Sequence, residues 1–424
     1  IVNTSFEGNN SNSSSSANGG AVLINTSSAD DIVFSEVIFD GNIAHSSGGA
    51  VYINGAQDVD ISTSRFLNNE ASSPASYTRY GGAIQISNVE SISLNNSILC
   101  GNSATKFSTL SSYGGAFYAG NAQELNISNV IFQENDSDEN GGAVAMDSID
   151  EVSMINNTFV GNSSTQGDDL WSTLSPTELI NTIFAYSSGS SSVYAADATS
   201  ASENVTYNDW YDNNSDTAGS FAFSVTSNGN ITDDPLFTLY SQDGDCDNDV
   251  LTLQTSSALI DAGDPTRFDL DGTRSDIGAF GGSGLLDSDL DGFGALIDCD
   301  DNDANAYPGA AFLESTSACM LDADGDGYGD TAPSNLLVQA GQDCNDADFS
   351  IKPGGVEVCD GIDNDCNNQI DDNPVGGQLY YTDTDGDGIG GSTTVQSCSV
   401  IAGVSDQTGD CDDLDSFAFP GSAE

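Results

Sequence analysis

The chain is poor in positive charge. Six Lys plus Arg face 66 Asp plus Glu in 424 residues, a formal net charge of −60. A field of that sign repels polyanions, so nucleic acid and anionic membrane surfaces are excluded as partners. His45 is the sole histidine, which leaves little for imidazole-based metal binding or acid–base catalysis. No apolar run approaches the roughly 20 residues of a membrane span, so no membrane insertion is expected of this segment. Gly-x-Ser-x-Gly, phosphate-loop and metal-histidine signatures are also missing.

What is present is repetition. Gly-Gly-Ala recurs at Gly19, Gly48, Gly81, Gly114 and Gly141, spaced 29, 33, 33 and 27 residues apart. Between these copies runs a second motif, Phe or Leu followed three residues later by Asn: Phe6–Asn9, Phe39–Asn42, Phe66–Asn69, Leu99–Asn102, Phe132–Asn135 and Phe159–Asn162. A period of this size signals a solenoid whose units are too small to bury an apolar face alone. Within each unit, runs such as Ala50-Val-Tyr-Ile53 and Ile92-Ser-Leu94 alternate with period two, a strand signal. Asn, Asp, Ser and Gly fill the corners. The expected fold is all-β: a right-handed parallel β-helix, with the Phe residues stacked inside and the Asn residues forming a ladder. An antiparallel sandwich is the alternative, but hairpins do not require such phase-locked spacing.

These paired motifs resemble the repeats of chlamydial polymorphic outer-membrane proteins, over residues 1 to about 165. The resemblance implies a surface-exposed, β-helical protein with a role in adhesion. Residues 166–285 lose the repeat and keep the strand texture. Tyr207-Asn-Asp-Trp-Tyr211 reads as packing for a terminal rung, or as a sugar platform. The series from Asp234-Pro-Leu-Phe237 to Asp269-Leu-Asp-Gly-Thr-Arg-Ser-Asp-Ile-Gly278 is similar to the closing segment of secreted β-helix proteins. It implies that the helix spans 1–285 and ends under a cap.

Residues 286–424 change character, with 30 acids and one base, Lys352. Three segments place Asp at positions 1, 3 and 5 and Gly at position 6: Asp287/Asp289/Asp291, Asp322/Asp324/Asp326 and Asp383/Asp385/Asp387. This is the first half of a calcium loop of the EF-hand kind, with the carbonyls of Phe293, Tyr328 and Ile389 at position 7. Asp298 falls at position 12 of the first loop. In the other two, closure is expected from Asp343 and Asp346 and from Asp410 and Asp413, in the Asp-Cys-x-Asp motifs that follow. A further cluster offers Asp363, Asp365, Asn367, Gln369 and Asp372. Together these segments resemble the thrombospondin type 3-like, Cys-containing metal-binding repeats of large bacterial surface proteins. Several calcium ions are the expected cofactor; zinc is disfavoured by the donor set.

Seven of nine Cys follow residue 290, which reads as a disulfide framework in an oxidising, extracellular setting. The spacing favours Cys398–Cys411 and Cys359–Cys366. The pairing of Cys246, Cys299, Cys319 and Cys344 stays open, and Cys100 is expected to be unpaired. The chain is expected to be a piece of a longer protein, since it starts within a repeat unit and stops within an acidic motif.

A parallel β-helix also carries polysaccharide lyases and glycoside hydrolases. A lyase needs a Lys or Arg base, and an inverting hydrolase needs carboxylates spaced for a water. The first 285 residues hold only Arg65, Arg79, Lys106, Arg267 and Arg274. The expectation is therefore a non-enzymatic surface protein, a stiff shaft with a calcium-rigidified connector. Its partners would be calcium, other copies or domains of the same surface protein, and surface polysaccharide. Two long loops carry Tyr77, Arg79 and Tyr80, then Lys106, Phe107 and Tyr113. They are expected to stack into one lateral recognition patch.

Overall fold

The computed structural model describes all residues except 12–16, 27–29, 73–77, 107–109, 201–203, 221–224, 244–245, 270–272, 282–288, 290–292, 294–297, 301 and 423–424. The regular elements of the described chain are all β-strands except one 3-10 turn at Cys246–Asn248. It divides into two compact units. One comprises Ile1–Ser288 with Gly294–Leu296; the other comprises Asp289–Phe293 with Ile297–Glu424.

The first unit is built on a 16-stranded sheet. Its strands pair in parallel, at offsets equal to the motif spacing. Phe117–Gln133 lies on Ile84–Cys100, from Phe117↔Ile84 to Gln133↔Cys100. Val51–Ser62 lies on the same strand from the other side. Strands of this length stay continuous by bending at single left-handed residues. These are mostly Asn, whose short polar side chain tolerates that conformation: Asn88 (φ 58), Asn96 (φ 45), Asn121 (φ 53) and Asn129 (φ 54). The Gly-Gly corners have two separate causes. Gly81 holds φ +63, and a Cβ on Gly82 would strike the carbonyl oxygen of Gly115 in the next unit.

Apolar residues facing inward stack in columns. Phe6, Phe39 and Phe66 stack at 5.0 and 4.9 Å between ring centroids. Phe132, Phe159, Phe184 and Trp210 continue at 4.7, 5.1 and 4.4 Å, with Leu99 between the two runs. Trp210 therefore packs the last unit of the column. Beside it runs the Asn ladder. Asn102 donates through Nδ2 to Asn135 Oδ1 at 3.0 Å and to the Phe66 carbonyl at 2.9 Å. Asn42, Asn69 and Asn135 repeat that pattern. A second ladder, of mixed residue types, escaped the sequence reading. Asn157, Thr182, Asn208 and Asn230 each accept the backbone N–H of an equivalent residue one unit before.

The closing segment differs from expectation. Rather than capping the last unit, the described residues between 237 and 281 run along the flank. Phe237, Leu251, Leu259, Ile277 and Ala279 bury the outward-facing Ile131, Val160, Ile183 and Ala185. Those outward positions are apolar, so the flank is an unfinished core that this segment completes. Asn129 Nδ2 donates to the carbonyls of Ala279 and Gly281, both at 2.9 Å. Cys100 is paired, not free: it bonds Cys246 across 146 residues. The alternation that turns Leu99 inward turns Cys100 outward onto this flank.

The strands described in the second unit form short antiparallel pairs, Ala306–Pro308 with Cys319–Leu321 and Gln378–Thr382 with Thr394–Ser397 and Val404–Ser405. Disulfides join Cys299–Cys319, Cys344–Cys366 and Cys359–Cys398, with Cα separations of 6.0, 5.7 and 5.3 Å. Both pairings expected from spacing are thus replaced, and Cys411 is free and exposed. The reason is topological. The cysteines of the first two Asp-Cys motifs pair forward, by 20 residues from Cys299 and 22 from Cys344. That claims Cys366, and leaves Cys359 to reach Cys398 on the next hairpin.

Candidate metal centres

The Asp322 loop is wound by its own first carboxylate. Asp322 Oδ1 accepts from the N–H of Gly325 at 2.8 Å and of Asp326 at 3.1 Å, and Oδ2 accepts from Gly327 at 2.9 Å. Gly325 (φ +77) and Gly327 (φ +93) supply the left-handed steps of the turn. Asp326 Oδ1 accepts from the N–H of Tyr328 at 2.9 Å. The Asp383 loop repeats this bond for bond: Gly386, Asp387 and Gly388 donate to Asp383 at 2.8, 3.1 and 3.0 Å, and Ile389 donates to Asp387 at 2.8 Å.

Each loop is met by the motif that follows it. Asp346 Oδ1 accepts from Ala323 N–H at 2.9 Å, and Asp413 Oδ1 from Thr384 N–H at 3.1 Å. Oxygens of Asp322, Asp324 and Asp346 gather within 4.8 Å of one another, as do those of Asp324, Asp326 and Asp343. Asp324 belongs to both groups, so five carboxylates form one continuous cluster. Burial, followed by the charges of these neighbours, pushes Asp343 up to about 6 and Asp346 up to about 7.

The fit to a cation rests on satisfaction. Asp324, Asp343 and Asp346 each keep one buried Oδ2 without a hydrogen-bond donor, and so do Asp385, Asp387 and Asp410. Buried carboxylate oxygens without donors are costly, and a divalent ion is the partner that satisfies several together.

In the first loop, Asp287 and Asp291 lie outside the described residues. Phe293 stacks on Tyr307 at 5.0 Å. Asp298 is buried beside Cys299 and Cys319; these two are joined to each other and do not act as thiolate ligands. The fourth cluster contains a residue that the sequence reading missed. Glu357, 5 % exposed, accepts from the N–H of Asn364 at 2.6 Å and of Asp365 at 3.0 Å. Its Oε2 has no donor, and it groups with Asp365 and Asp372. Asp363 winds this loop through Asn367 and Asn368 N–H at 3.1 and 2.7 Å, with Asn368 (φ 69) in the place of the glycine. Asn367 Oδ1 accepts from Gln369 N–H at 2.8 Å.

The expected recognition patch is not assembled as a cationic surface. Tyr77 and Phe107 lie outside the described residues. Tyr80 and Tyr113 do stack, at 5.4 Å, and Trp171 packs edge-on against Tyr113 at 5.2 Å. Arg79, however, is fully buried. It pairs in register with the buried Ser112, and period-two alternation turns it inward where its neighbour Tyr80 turns out. Lys106 is engaged by Glu139 at 4.0 Å.

Two family models match parts of the chain. One, of copper-binding MopE type and described as a "Putative metal-binding motif", matches residues 298–312, 343–372 and 410–424. The other, the Chlamydia polymorphic membrane protein repeat, matches residues 36–54. No curated protein and no solved structure gives a significant match. The chain thus carries a surface-type repeat and a metal-binding motif, and no helix among the described residues is long and apolar enough to cross a membrane.

Proposed function

We propose that this chain is a non-catalytic segment of an extracellular surface protein: a right-handed parallel β-helix acts as a stiff shaft, and a calcium-binding region acts as a rigidified connector. Its role is adhesion or assembly with other copies of the surface protein. The in-register parallel stacking, with its Asn ladders and its inward column of Phe, Leu99 and Trp210, supports the β-helix reading. The set of buried carboxylate oxygens without donors carries the metal reading.

Calcium is favoured over copper by donor chemistry. The ligands on offer are carboxylates, with carbonyls at Tyr328 and Ile389, and such hard oxygens suit calcium. Among the described cysteines only Cys411 is free, and His45 belongs to the other unit. Bound calcium would be held by Asp322, Asp324, Asp326, Asp343 and Asp346, and by their counterparts Asp383, Asp385, Asp387, Asp410 and Asp413. Its charge would offset the mutual repulsion of these groups.

Limited proteolysis of the full chain, with calcium and with chelator, tests this. Chelation is expected to open cleavage sites after residue 298 and to spare residues 1–281. Equal digestion patterns would refute the calcium connector, and release of reducing sugar from polysaccharide would refute the non-catalytic reading.

A further inference from the structure

We propose that Lys352 is a built-in counter-ion of the Asp322 loop: its ammonium occupies the carboxylate cluster of the metal-free chain, and a divalent cation must displace it. The proposal rests on the reading of that loop as a cation site. Lys352 is the only basic residue between positions 286 and 424, and it is not spent on the surface. Its Nζ stands 3.5 Å from Oδ2 of Asp326, a side chain with no exposure. It lies 3.8 Å from the centroid of the Phe349 ring, and so is also held by the ring face. The backbone below is fixed, since Ile351 is buried and Lys352 N–H donates to the Asn364 carbonyl at 3.1 Å.

The Asp383 loop, wound by the same hydrogen bonds, has no such cation. Asp326 and its counterpart Asp387 each have a buried Oδ2 without a hydrogen-bond donor, but among the described residues no basic side chain pairs with Asp387 as Lys352 does with Asp326. An ammonium and a divalent ion in one cluster repel each other, and partial burial leaves that repulsion poorly screened. The lysine therefore does two opposite things. It holds the Asp322 loop together without metal, and it lowers the affinity of that loop for metal. The loops differ at another place too. Thr384 Oγ1 donates to Asp413 Oδ2 at 2.8 Å, where Ala323 has no hydroxyl to offer Asp346. Comparing the two loops does not isolate the lysine, but changing residue 352 does.

The test uses the full chain with Asp385→Asn as background, to silence the second loop. Calcium is titrated against terbium, whose luminescence Tyr328 sensitises from position 7. Lys352→Met is expected to tighten the calcium midpoint by about ten-fold and to lower the melting temperature of the chelated chain. Lys352→Arg, which keeps the charge, should stay near the parent. A midpoint unchanged in Lys352→Met overturns the proposal. A parent that binds neither ion overturns the site reading and the proposal with it.

A second measurement needs no substitution at 352. The chain has two lysines, Lys106 and Lys352, so the ratio of their acetylation rates by mass spectrometry is internally referenced. Calcium should raise the reactivity of Lys352 relative to Lys106, because the displaced ammonium returns to solvent. A ratio unmoved at saturating calcium also overturns the proposal.

Discussion

The Asn ladder makes a quantitative demand on stability that one substitution can test. Asn102 is fully buried. Its Oδ1 accepts from both the N–H and the Nδ2 of Asn69 at 3.0 Å, and its Nδ2 donates to the Phe66 carbonyl and to Asn135 Oδ1. In Asn102→Ala two groups lose what Asn102 gave them, the Asn69 N–H and the Phe66 carbonyl. The Asn69 amide keeps the Phe39 carbonyl, and Asn135 Oδ1 keeps the Asn102 N–H. At about 1–3 kcal/mol for each buried group left unsatisfied, the cost is about 2–6 kcal/mol before any cavity term. Asn9 is the control. It is exposed and its side chain only donates, so Asn9→Ala should cost less than about 1 kcal/mol. The assay is urea unfolding followed by tryptophan fluorescence. Trp171 and Trp210 are the only two tryptophans and both lie in the first unit, so they report that unit alone. Because each unit leans on its neighbours, the local loss should move the whole transition. Equal costs at positions 9 and 102 would refute the idea that the ladder is an energetic spine.

The same fluorescence reads one further prediction, and amide exchange reads another. Burial raises the carboxyl of Asp169 to about 7 and that of Asp209 to about 8. The folded unit keeps protons that the unfolded chain releases near pH 4, so their contribution to stability is complete below that pH. It is lost as pH rises from about 4 to 8. The urea midpoint should fall across that window, and Asp169→Asn should flatten the part below pH 7; a midpoint that rises in both proteins would contradict this. Cys246→Ser should release the flanking segment. The bridge closes 146 residues, for which loop entropy alone gives about 5 kcal/mol as an upper figure. The expected signature is faster amide exchange at Leu251, Leu259 and Ile277, with the strand Ile84–Cys100 unchanged.

Much of this architecture was legible in the sequence, because the motifs report the stacking itself. Gly82 recurs because a neighbouring backbone lies against it, and Asn102 recurs because the residue above it is also Asn. The gathering of Asp343 and Asp346 with the carboxylates of the Asp322 loop was legible for a similar reason, since loop and motif recur as a pair. The features that were not legible lie where contacts are made only once. Cys398 pairs with Cys359, 39 residues away, and nothing in either local segment states that distance. Arg79 follows a long loop, so the alternation that turns it inward cannot be phased from its own neighbours. Glu357 stands outside the Asp-x-Asp pattern and joins it only through the turn that brings Asn364 and Asp365 back to it. The outward row of Ile131, Val160 and Ile183 was visible as apolar character, but the segment that covers it arrives more than 50 residues later.

The bridge between Cys100 and Cys246 also decides where tension travels. A pull on the chain beyond Gly281 first loads the hydrogen bonds that Asn129, Asn156 and Asn181 make with residues 264–281. Once these shear, the force moves back along the chain to Cys246 and crosses the disulfide to Cys100. It enters the strand Ile84–Cys100, which is clamped on both sides by its parallel neighbours. Residues 101–245 lie off that covalent line, as a closed loop. At about 3.5 Å per residue, roughly 500 Å of chain is withheld from extension while the bond is oxidised. The later units are thus shielded by covalent chemistry, and the early units bear the strain by shear across many parallel hydrogen bonds at once.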